Sequence, residues 1–179
     1  NISGQGLELE LIHRGNWLTT NPAVATSRVD IALAISHSET KPFAHWTPVH
    51  IHSAANHVTG RVALLETTDT TRIAPGAKGL AQLVFDPPIN LCFGDRIIIR
   101  DQAASRTIGG GKVINTTSPK RGRARPERIE QLHRLNPGNT KESLTALIQG
   151  ELYGVELKAL REKFNLTGPE LTSYLDTTE

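Results

Sequence analysis

The residues best suited to chemistry in this sequence are three histidines close together, His50, His52 and His57. His50 and His52 are separated by one residue, and side chains two positions apart share a face when the chain is extended. With a carboxylate they would suit a metal ion, but zinc needs three or four converging ligands and nothing else at ligand spacing marks a fourth. Structural, hydrogen-bonded histidines and polar contacts to RNA are the alternatives.

Sequence motifs of catalysis are absent. The chain has no GxxxxGK[ST] phosphate loop, no GxSxG and no HExxH. Its one cysteine, Cys92, excludes an internal disulfide and has no catalytic signature around it. The run Gly109, Gly110 and Gly111 continues into a strand-like segment instead of opening a helix, so we interpret it as close backbone packing. We therefore predict no catalytic residue, no metal ligand and no cofactor site in this chain.

Basic residues are concentrated in one short segment. Residues 120–134 have a net charge of +4, against +1 for residues 1–119 and −3 for residues 135–179. Spaced arginines of this kind neutralise phosphates and release counterions, whereas a solvated charge run need bind nothing. We keep contact with RNA as a hypothesis for the first four of them, Lys120, Arg121, Arg123 and Arg125.

Two kinds of periodicity indicate the elements that must position these residues. Up to residue 117 the chain consists of short β-branched or aliphatic runs separated by proline and glycine turns, which is typical of an antiparallel all-β domain. Residues 7–12 alternate apolar and acidic positions and are predicted to form a strand. Residues 116–126 are rich in Thr, Ser, Pro, Lys, Gly and Arg and are interpreted as a linker.

Beyond the linker the apolar spacing becomes helical. Pro126 suits the first turn of a helix that Pro137 and Gly138 would end. Asn139, with Glu142 three residues on, resembles a capping box that starts a second helix. Two further short helices resemble a helix-turn-helix, so we predict a small α-helical winged-helix domain.

Residues 81–114, AQLVFDPPINLCFGDRIIIRDQAASRTIGGGKVI, resemble the closing half of the third domain of elongation factor Tu and related translational GTPases. The shared pattern is GDR, a strand ending in Ile-Arg, a variable loop and RTIGGG. Residues 47–66, TPVHIHSAANHVTGRVALLE, look like the form of this domain in bacterial selenocysteine-specific elongation factors, where winged-helix repeats follow. Residues 1–20 resemble the tail of the second barrel, with Asn16 in place of the usual aspartate.

The resemblance and the composition together divide the chain into four parts. We predict the tail of a preceding β-barrel at residues 1–22, an elongation factor Tu domain 3-like β-barrel at 23–117, a basic linker at 118–127 and an incomplete winged-helix domain at 128–179. The chain lacks methionine, and we expect it to be part of a longer protein. No apolar run reaches the ~20 residues of a membrane span, so we expect a cytoplasmic protein without membrane contact.

The resemblance implies part of a factor that binds selenocysteinyl-tRNA and delivers it to the ribosome in a GTP-dependent manner directed by an mRNA hairpin. GTP and magnesium would bind a GTPase domain outside this chain, and the hairpin would bind later winged-helix repeats. One loop of the barrel corresponds by position to a tRNA-contacting loop. The RNA-binding candidates in and beside this loop are Arg100, Asp101, Gln102, Ser105 and Arg106, and His50 and His52 are candidates from a separate strand.

Three rival hypotheses are another translation factor barrel with a helical extension, a winged-helix DNA-binding regulator and a metal hydrolase. The last predicted helix carries Glu170 and Asp176 but no Lys or Arg, which makes it a poor reader of a DNA groove. Arg100 suits an ion pair with Asp95 or Asp101 as well as it suits a phosphate.

Overall fold

The structure is a computed structural model of the chain and describes residues 4, 6, 8–19, 24–66, 71–136, 139–150 and 154–176. Within these ranges, eight strands come first: β1 (Thr26–Ile35), β2 (Phe43–Ala44), β3 (Thr47–Ser53), β4 (Asn56–Leu64), β5 (Arg72–Ile73), β6 (Lys78–Ile89), β7 (Arg96–Arg100) and β8 (Thr107–Asn115). Four helices follow: α1 (Pro126–Arg134), α2 (Thr140–Gly150), α3 (Leu157–Phe164) and α4 (Gly168–Asp176).

Six of these strands close into an antiparallel barrel in the order β1-β6-β4-β3-β7-β8, with β8 pairing back onto β1. The strands β2 and β5 form a separate two-stranded sheet. Alternate residues of the barrel strands point inward and are fully buried, as Val29, Ile31 and Leu83 show. The predicted all-β barrel is confirmed, because period-two burial is what the short aliphatic runs encode.

The three consecutive glycines of β8 allow the barrel to close. A Cβ built on Gly109 or Gly111 would lie 2.3 or 2.4 Å from a carbonyl oxygen of β1, and one on Gly110 would lie 2.4 Å from the carbonyl oxygen of Ile97 on β7. No side chain fits at these distances, so glycine is required where the three backbones approach one another. The structural interpretation of this run is confirmed.

The helices begin where the sequence signals place them. Pro126 occupies the first turn of α1, and Asn139 Oδ1 accepts the Glu142 backbone N–H at 2.8 Å to cap α2. The predicted end of α1 at Pro137 and Gly138 lies outside the described residues. The described residues after Asn115 include no strand, so the winged-helix assignment stays a prediction. No described helix is long and apolar enough to cross a membrane.

The helices share one hydrophobic core with the outside of the barrel. Phe93 lies against Phe164 of α3, with ring centroids 4.7 Å apart. The helical part therefore packs its apolar side chains against the barrel. The outer sides of β6 and β8 are apolar and need a cover. The buried members of this cluster are Leu65, Leu80, Phe93, Ile114, Leu132, Leu135, Leu144, Leu147, Leu160, Phe164 and Leu171.

A buried carboxylate, that of Asp30 on β1, ties the linker and α1 to the barrel. Asp30 is fully buried and forms an ion pair with Arg128 of α1. Its oxygens also accept hydrogen bonds from Ser118 Oγ at 2.6 Å, Asn115 Nδ2 at 2.9 Å and Gln82 Nε2 at 3.3 Å. Gln82 Nε2 donates in addition to the Pro119 carbonyl oxygen at 3.2 Å. The predicted linker is thus docked against the barrel.

The segment before the barrel departs from its predicted strand. Leu9–Leu11 forms a 3₁₀ turn, and Leu9 is 80% exposed. The strand prediction is wrong for these three residues, because alternation alone does not make a strand without a partner to pair with. Leu7 and the predicted boundary between residues 22 and 23 lie outside the described residues. Asn56 Nδ2 donates to the Gly15 carbonyl oxygen at 3.0 Å and connects this segment to β4.

Replacing Gly110 by alanine tests the closure of the barrel. We expect Gly110→Ala to lower the free energy of unfolding by about 1–3 kcal/mol or more, because its Cβ would overlap a backbone oxygen. The measurement is equilibrium unfolding in urea. Gly168→Ala is the matched control, since a Cβ at Gly168 meets nothing within 4 Å. Equal unfolding midpoints for the two variants would contradict the close-packing account.

Replacing Arg128 by methionine tests the buried ion pair. Arg128→Met leaves the Asp30 carboxylate buried without its cation, and we expect a loss of about 3–5 kcal/mol in the free energy of unfolding. Adding Asp30→Asn should recover part of that loss. The control is Arg134→Met on the same helix, whose exposed pair with Glu130 contributes at most about 1 kcal/mol. The account fails if Arg128→Met and Arg134→Met unfold at the same urea concentration.

Candidate nucleic-acid interface

The face of the barrel that the helices leave uncovered is formed by β3, β4 and β7. Antiparallel ladders place His50 opposite both Thr59 and Arg100, and His52 opposite both His57 and Ile98. We call the outward-facing residues of these three strands the basic face: Pro48, His50, His52, His57, Thr59, Arg61, Arg96, Ile98 and Arg100.

The basic face carries positive charge and contains no acidic residue. Three of its nine residues are arginine and three are histidine, and none of the nine, all within the described ranges, is Asp or Glu. Arg61 and Arg96 are exposed, and Ile98 is an exposed apolar residue at 50%. An uncompensated basic surface of this kind attracts polyanions.

Arg100 lies at the end of β7, half-buried next to His50. Within the described ranges it forms no ion pair, because Asp95 accepts the Cys92 N–H and Asp101 accepts donors of its own loop. Of the two alternatives for Arg100, the ion pair with Asp95 or Asp101 is not formed among the described residues. Its Nε, together with His50 Nδ1 and His52 Nε2, is buried without a hydrogen-bond partner in the described part of the chain. The Arg100 Nε–H suits an acceptor oxygen of a ligand, whereas His50 Nδ1, on a ring whose Nε2 donates, suits a donor.

The three histidines stack instead of converging. Ring centroids lie 6.1 Å apart for His50 and His57, and 5.6 Å apart for His52 and His57, with interplanar angles of 19° and 23°. The described residues contain no group of three or more His, Cys, Asp or Glu that could hold a metal ion. Burial lowers the pKa of His52, and His57, Arg100 and His50 lower it further. This ring is neutral near pH 7 and acts there through hydrogen bonding.

The loop of residues 101–106 is ordered by one carboxylate. Asp101 Oδ1 accepts the Ser105 and Arg106 backbone N–H groups at 2.7 and 3.1 Å, and Oδ2 accepts the Ser105 hydroxyl at 2.7 Å. These hydrogen bonds lower the pKa of Asp101, and the bond from the Arg106 N–H has the largest effect. Asp101 therefore shapes the loop. Gln102 at the tip is exposed, and its side chain forms no hydrogen bond within the described part of the chain.

Arg106 forms an ion pair with an acidic neighbour. Its guanidinium pairs with Glu39, whose side chain is 8% exposed, while Arg106 itself is 57% exposed. Asp101 Oδ2 lies 3.8 Å from Arg106 Nε. The hydrogen bond to Glu39, followed by the charge of Glu39, raises the pKa of Arg106. This side chain is less available for a phosphate than Arg100.

A single hydrogen bond joins the loop to the basic face, because His50 Nε2 donates to the Gln102 carbonyl oxygen at 3.2 Å. The structure thus brings together seven of the residues that the sequence marked as RNA-binding candidates. They are His50, His52, Arg100, Asp101, Gln102, Ser105 and Arg106.

The basic linker residues lie elsewhere and point in different directions. Arg123 lies over the indole of Trp46, 5.1 Å from the ring centroid. Arg121 and Arg125 line an open cleft of about 660 Å³ between the linker, α1 and α2. Lys120 is exposed. The four linker candidates therefore do not form one surface with the histidines.

Three contributors were missed by reasoning from the sequence: Arg61, Trp46 and Arg96, which stood only within the GDR pattern of the resemblance. Arg61 alternates with Thr59 and His57 on one side of β4, a period-two signal that was available in residues 56–64. Trp46 sits outside any periodic run, so no pattern marked it. By contrast, Cys92 offers no nucleophile, because burial and Asp95 raise the pKa of its thiol to about 11.

Comparison with known proteins identifies a family that this chain matches. Residues 27–120 match the model of the selenocysteine-specific elongation factor, beta-barrel domain. The chain is 41% identical over 133 residues to a selenocysteine-specific elongation factor of Escherichia coli, covering 74% of this chain and 19% of that protein. Corresponding factors of Haemophilus influenzae and Desulfomicrobium baculatum are 32% and 28% identical, over 75% and 88% of this chain.

The chain spans about a fifth to a quarter of the length of these relatives, since it covers 19%, 22% and 25% of them. The family match begins one residue after the start of β1 and ends in the docked linker. It therefore contains all of the closed barrel except Thr26, including the basic face and the loop of residues 101–106. The chain belongs to the family of selenocysteine-specific elongation factors.

Proposed function

We propose that this chain supplies a tRNA-binding surface of a selenocysteine-specific elongation factor, and that the basic face with the adjoining loop is that surface. The observation that carries the proposal is the continuous exterior of β3, β4 and β7, with six basic side chains and no carboxylate. The ligand is selenocysteinyl-tRNA, which the factor delivers to the ribosome in the cytoplasm.

Phosphate and ribose contacts suit this surface better than base recognition. Helical RNA is bound through phosphates and 2′-hydroxyls, since its deep major groove is closed to side chains. Arg100 offers an unbonded Nε–H, which suits a phosphate oxygen, whereas the partnerless Nδ1 of His50 is an acceptor and suits a ribose 2′-hydroxyl. The exposed Gln102 amide can donate to and accept from a 2′-hydroxyl.

The helical extension has a different role in this proposal. Its last helix has an acidic residue, Glu170, in the first turn and no basic residue in its last turn, so it is poorly suited to an RNA backbone. We assign it to spacing between the barrel and later winged-helix repeats that bind the mRNA hairpin. GTP and magnesium bind in a GTPase domain outside this chain, and the barrel itself performs no catalysis.

Neutralising Arg100 tests the proposal in the full-length factor that carries this chain. We expect Arg100→Met to weaken binding of selenocysteinyl-tRNA by about tenfold or more, because a charge-assisted hydrogen bond contributes about 1.5–3 kcal/mol. The slope of log K against log salt should also fall by about one. His50→Gln should weaken binding less. The measurement is a filter-binding titration at several salt concentrations.

Lys158→Met on α3 is the matched control, because its side chain is 77% exposed and lies in the helical extension. We expect it to leave both the affinity and the salt slope unchanged. We expect Arg106→Met to weaken tRNA binding less than Arg100→Met and more than Lys158→Met, because Arg106 is already paired with Glu39. Equal affinities for Arg100→Met and Lys158→Met would overturn the assignment of the basic face.

A further inference from the structure

Trp46 occupies the corner where the β2 segment turns into β3, next to the basic face. Its backbone N–H donates to the Val62 carbonyl oxygen at 2.7 Å, and its carbonyl oxygen accepts Arg61 Nη1 at 3.0 Å. Both of its backbone polar groups are thus fixed by β4. The side chain nevertheless remains 37% exposed, so the fold holds a large aromatic ring at the surface.

The backbone of Trp46 is in an unusual conformation. Its φ angle is +65°, in the left-handed region that side chains other than Gly, Asn and Asp rarely adopt. A bulky residue here costs stability that a glycine or asparagine would not. The indole is thus kept at a position where the backbone favours a smaller residue.

Two guanidinium groups from different parts of the chain meet at this ring. Arg61 of β4 lies 6.0 Å and Arg123 of the linker 5.1 Å from the Trp46 ring centroid. His45 adds a second ring, 6.1 Å away and inclined by 25°. Both arginines are at least partly exposed, and an exposed cation–π contact is a weak restraint. Neither cation has a carboxylate among the ion pairs of the described residues.

We propose that Trp46, Arg61 and Arg123 form a second RNA site that takes one unpaired nucleotide. The base takes the place of the partly exposed Arg123 guanidinium on the indole face, and the two guanidinium groups hold the phosphates beside it. The inference rests on the proposed function only in taking RNA as the ligand, because it concerns a different set of side chains. Arg61 belongs both to this site and to the basic face, so the site extends the basic face toward the linker.

The chemistry favours a single-stranded nucleotide over a duplex. Bases within a helix cover one another's faces, whereas an unpaired base exposes a face that aromatic side chains bind without regard to sequence. Trp46 and His50 are four residues apart, roughly 13 Å along an extended strand. An RNA whose helical part lies on the basic face can therefore place a nearby loop or end nucleotide on Trp46.

Tryptophan fluorescence reads this site directly, because the chain has two tryptophans and both are 37% exposed. In the 179-residue chain carrying Trp17→Phe, Trp46 is the reporter. We expect a short single-stranded oligouridylate to quench its emission in a saturable titration. In the matched variant Trp46→Phe, where Trp17 is the reporter, the same RNA should cause no saturable quenching. An RNA duplex of the same length and inorganic tripolyphosphate are the comparison ligands.

Affinity measurements with labelled oligouridylate separate a ligand site from a structural contact. Trp46→Asn keeps a residue that tolerates positive φ but removes the ring, and we expect about tenfold weaker binding. Trp46→Phe should retain most of the affinity, because a phenyl ring also stacks. Arg123→Met should weaken binding, whereas Arg121→Met, two residues away in the cleft, should not. A single cooperative thermal unfolding transition in each variant shows that the fold is retained.

Absence of quenching at Trp46 overturns the inference, and so does equal quenching by the duplex or by tripolyphosphate. Equal affinity of Trp46→Asn and the parent chain also overturns it and leaves Trp46 as a structural contact for the linker. Each of these outcomes is independent of the tRNA titration with Arg100→Met. A negative result at Trp46 therefore does not contradict tRNA binding by the basic face, and a negative result for Arg100→Met does not contradict the Trp46 site.

Discussion

The buried carboxylate of Asp30 fixes the arrangement of the whole molecule. It receives an arginine from the first helix, a hydroxyl from the linker and two amides from the barrel. A charge in the interior is tolerated only when such partners satisfy it, so barrel, linker and helix hold one geometry. Glu66 repeats the arrangement nearer the surface, where it accepts the Leu80 N–H at 2.8 Å and pairs with His133 of α1.

The contacts of Asp30 determine which side of the barrel is available to a ligand. Helices held at Asp30 cover the apolar outer surface of β1, β6 and β8, and Phe93 and Phe164 pack in that interface. The opposite side, β3, β4 and β7, carries the arginines and histidines. The open, basic side of the barrel is therefore the one that attracts a polyanion.

The sequence predicted what local patterns encode and missed what only closure of the barrel creates. Alternation gave the strands, and Asn139 and Glu142 marked a helix start. The glycine run indicated close packing. Pairing of Asp30 with Arg128 joins residues almost a hundred positions apart, and no local rule anticipates it. Five of the seven clustered candidates came from the family resemblance and the two histidines from their shared strand face, whereas Arg61 and Trp46 join the surface only because β3 and β4 pair.

Histidine modification by diethyl pyrocarbonate tests the central claim, that RNA binds the side of the barrel opposite the helices. His57 on the basic face and His133 on α1 are both exposed and lie on different sides. With the full-length factor, bound selenocysteinyl-tRNA should slow modification of His57 and leave that of His133 unchanged. Protection of His133 with His57 still reactive would contradict the account.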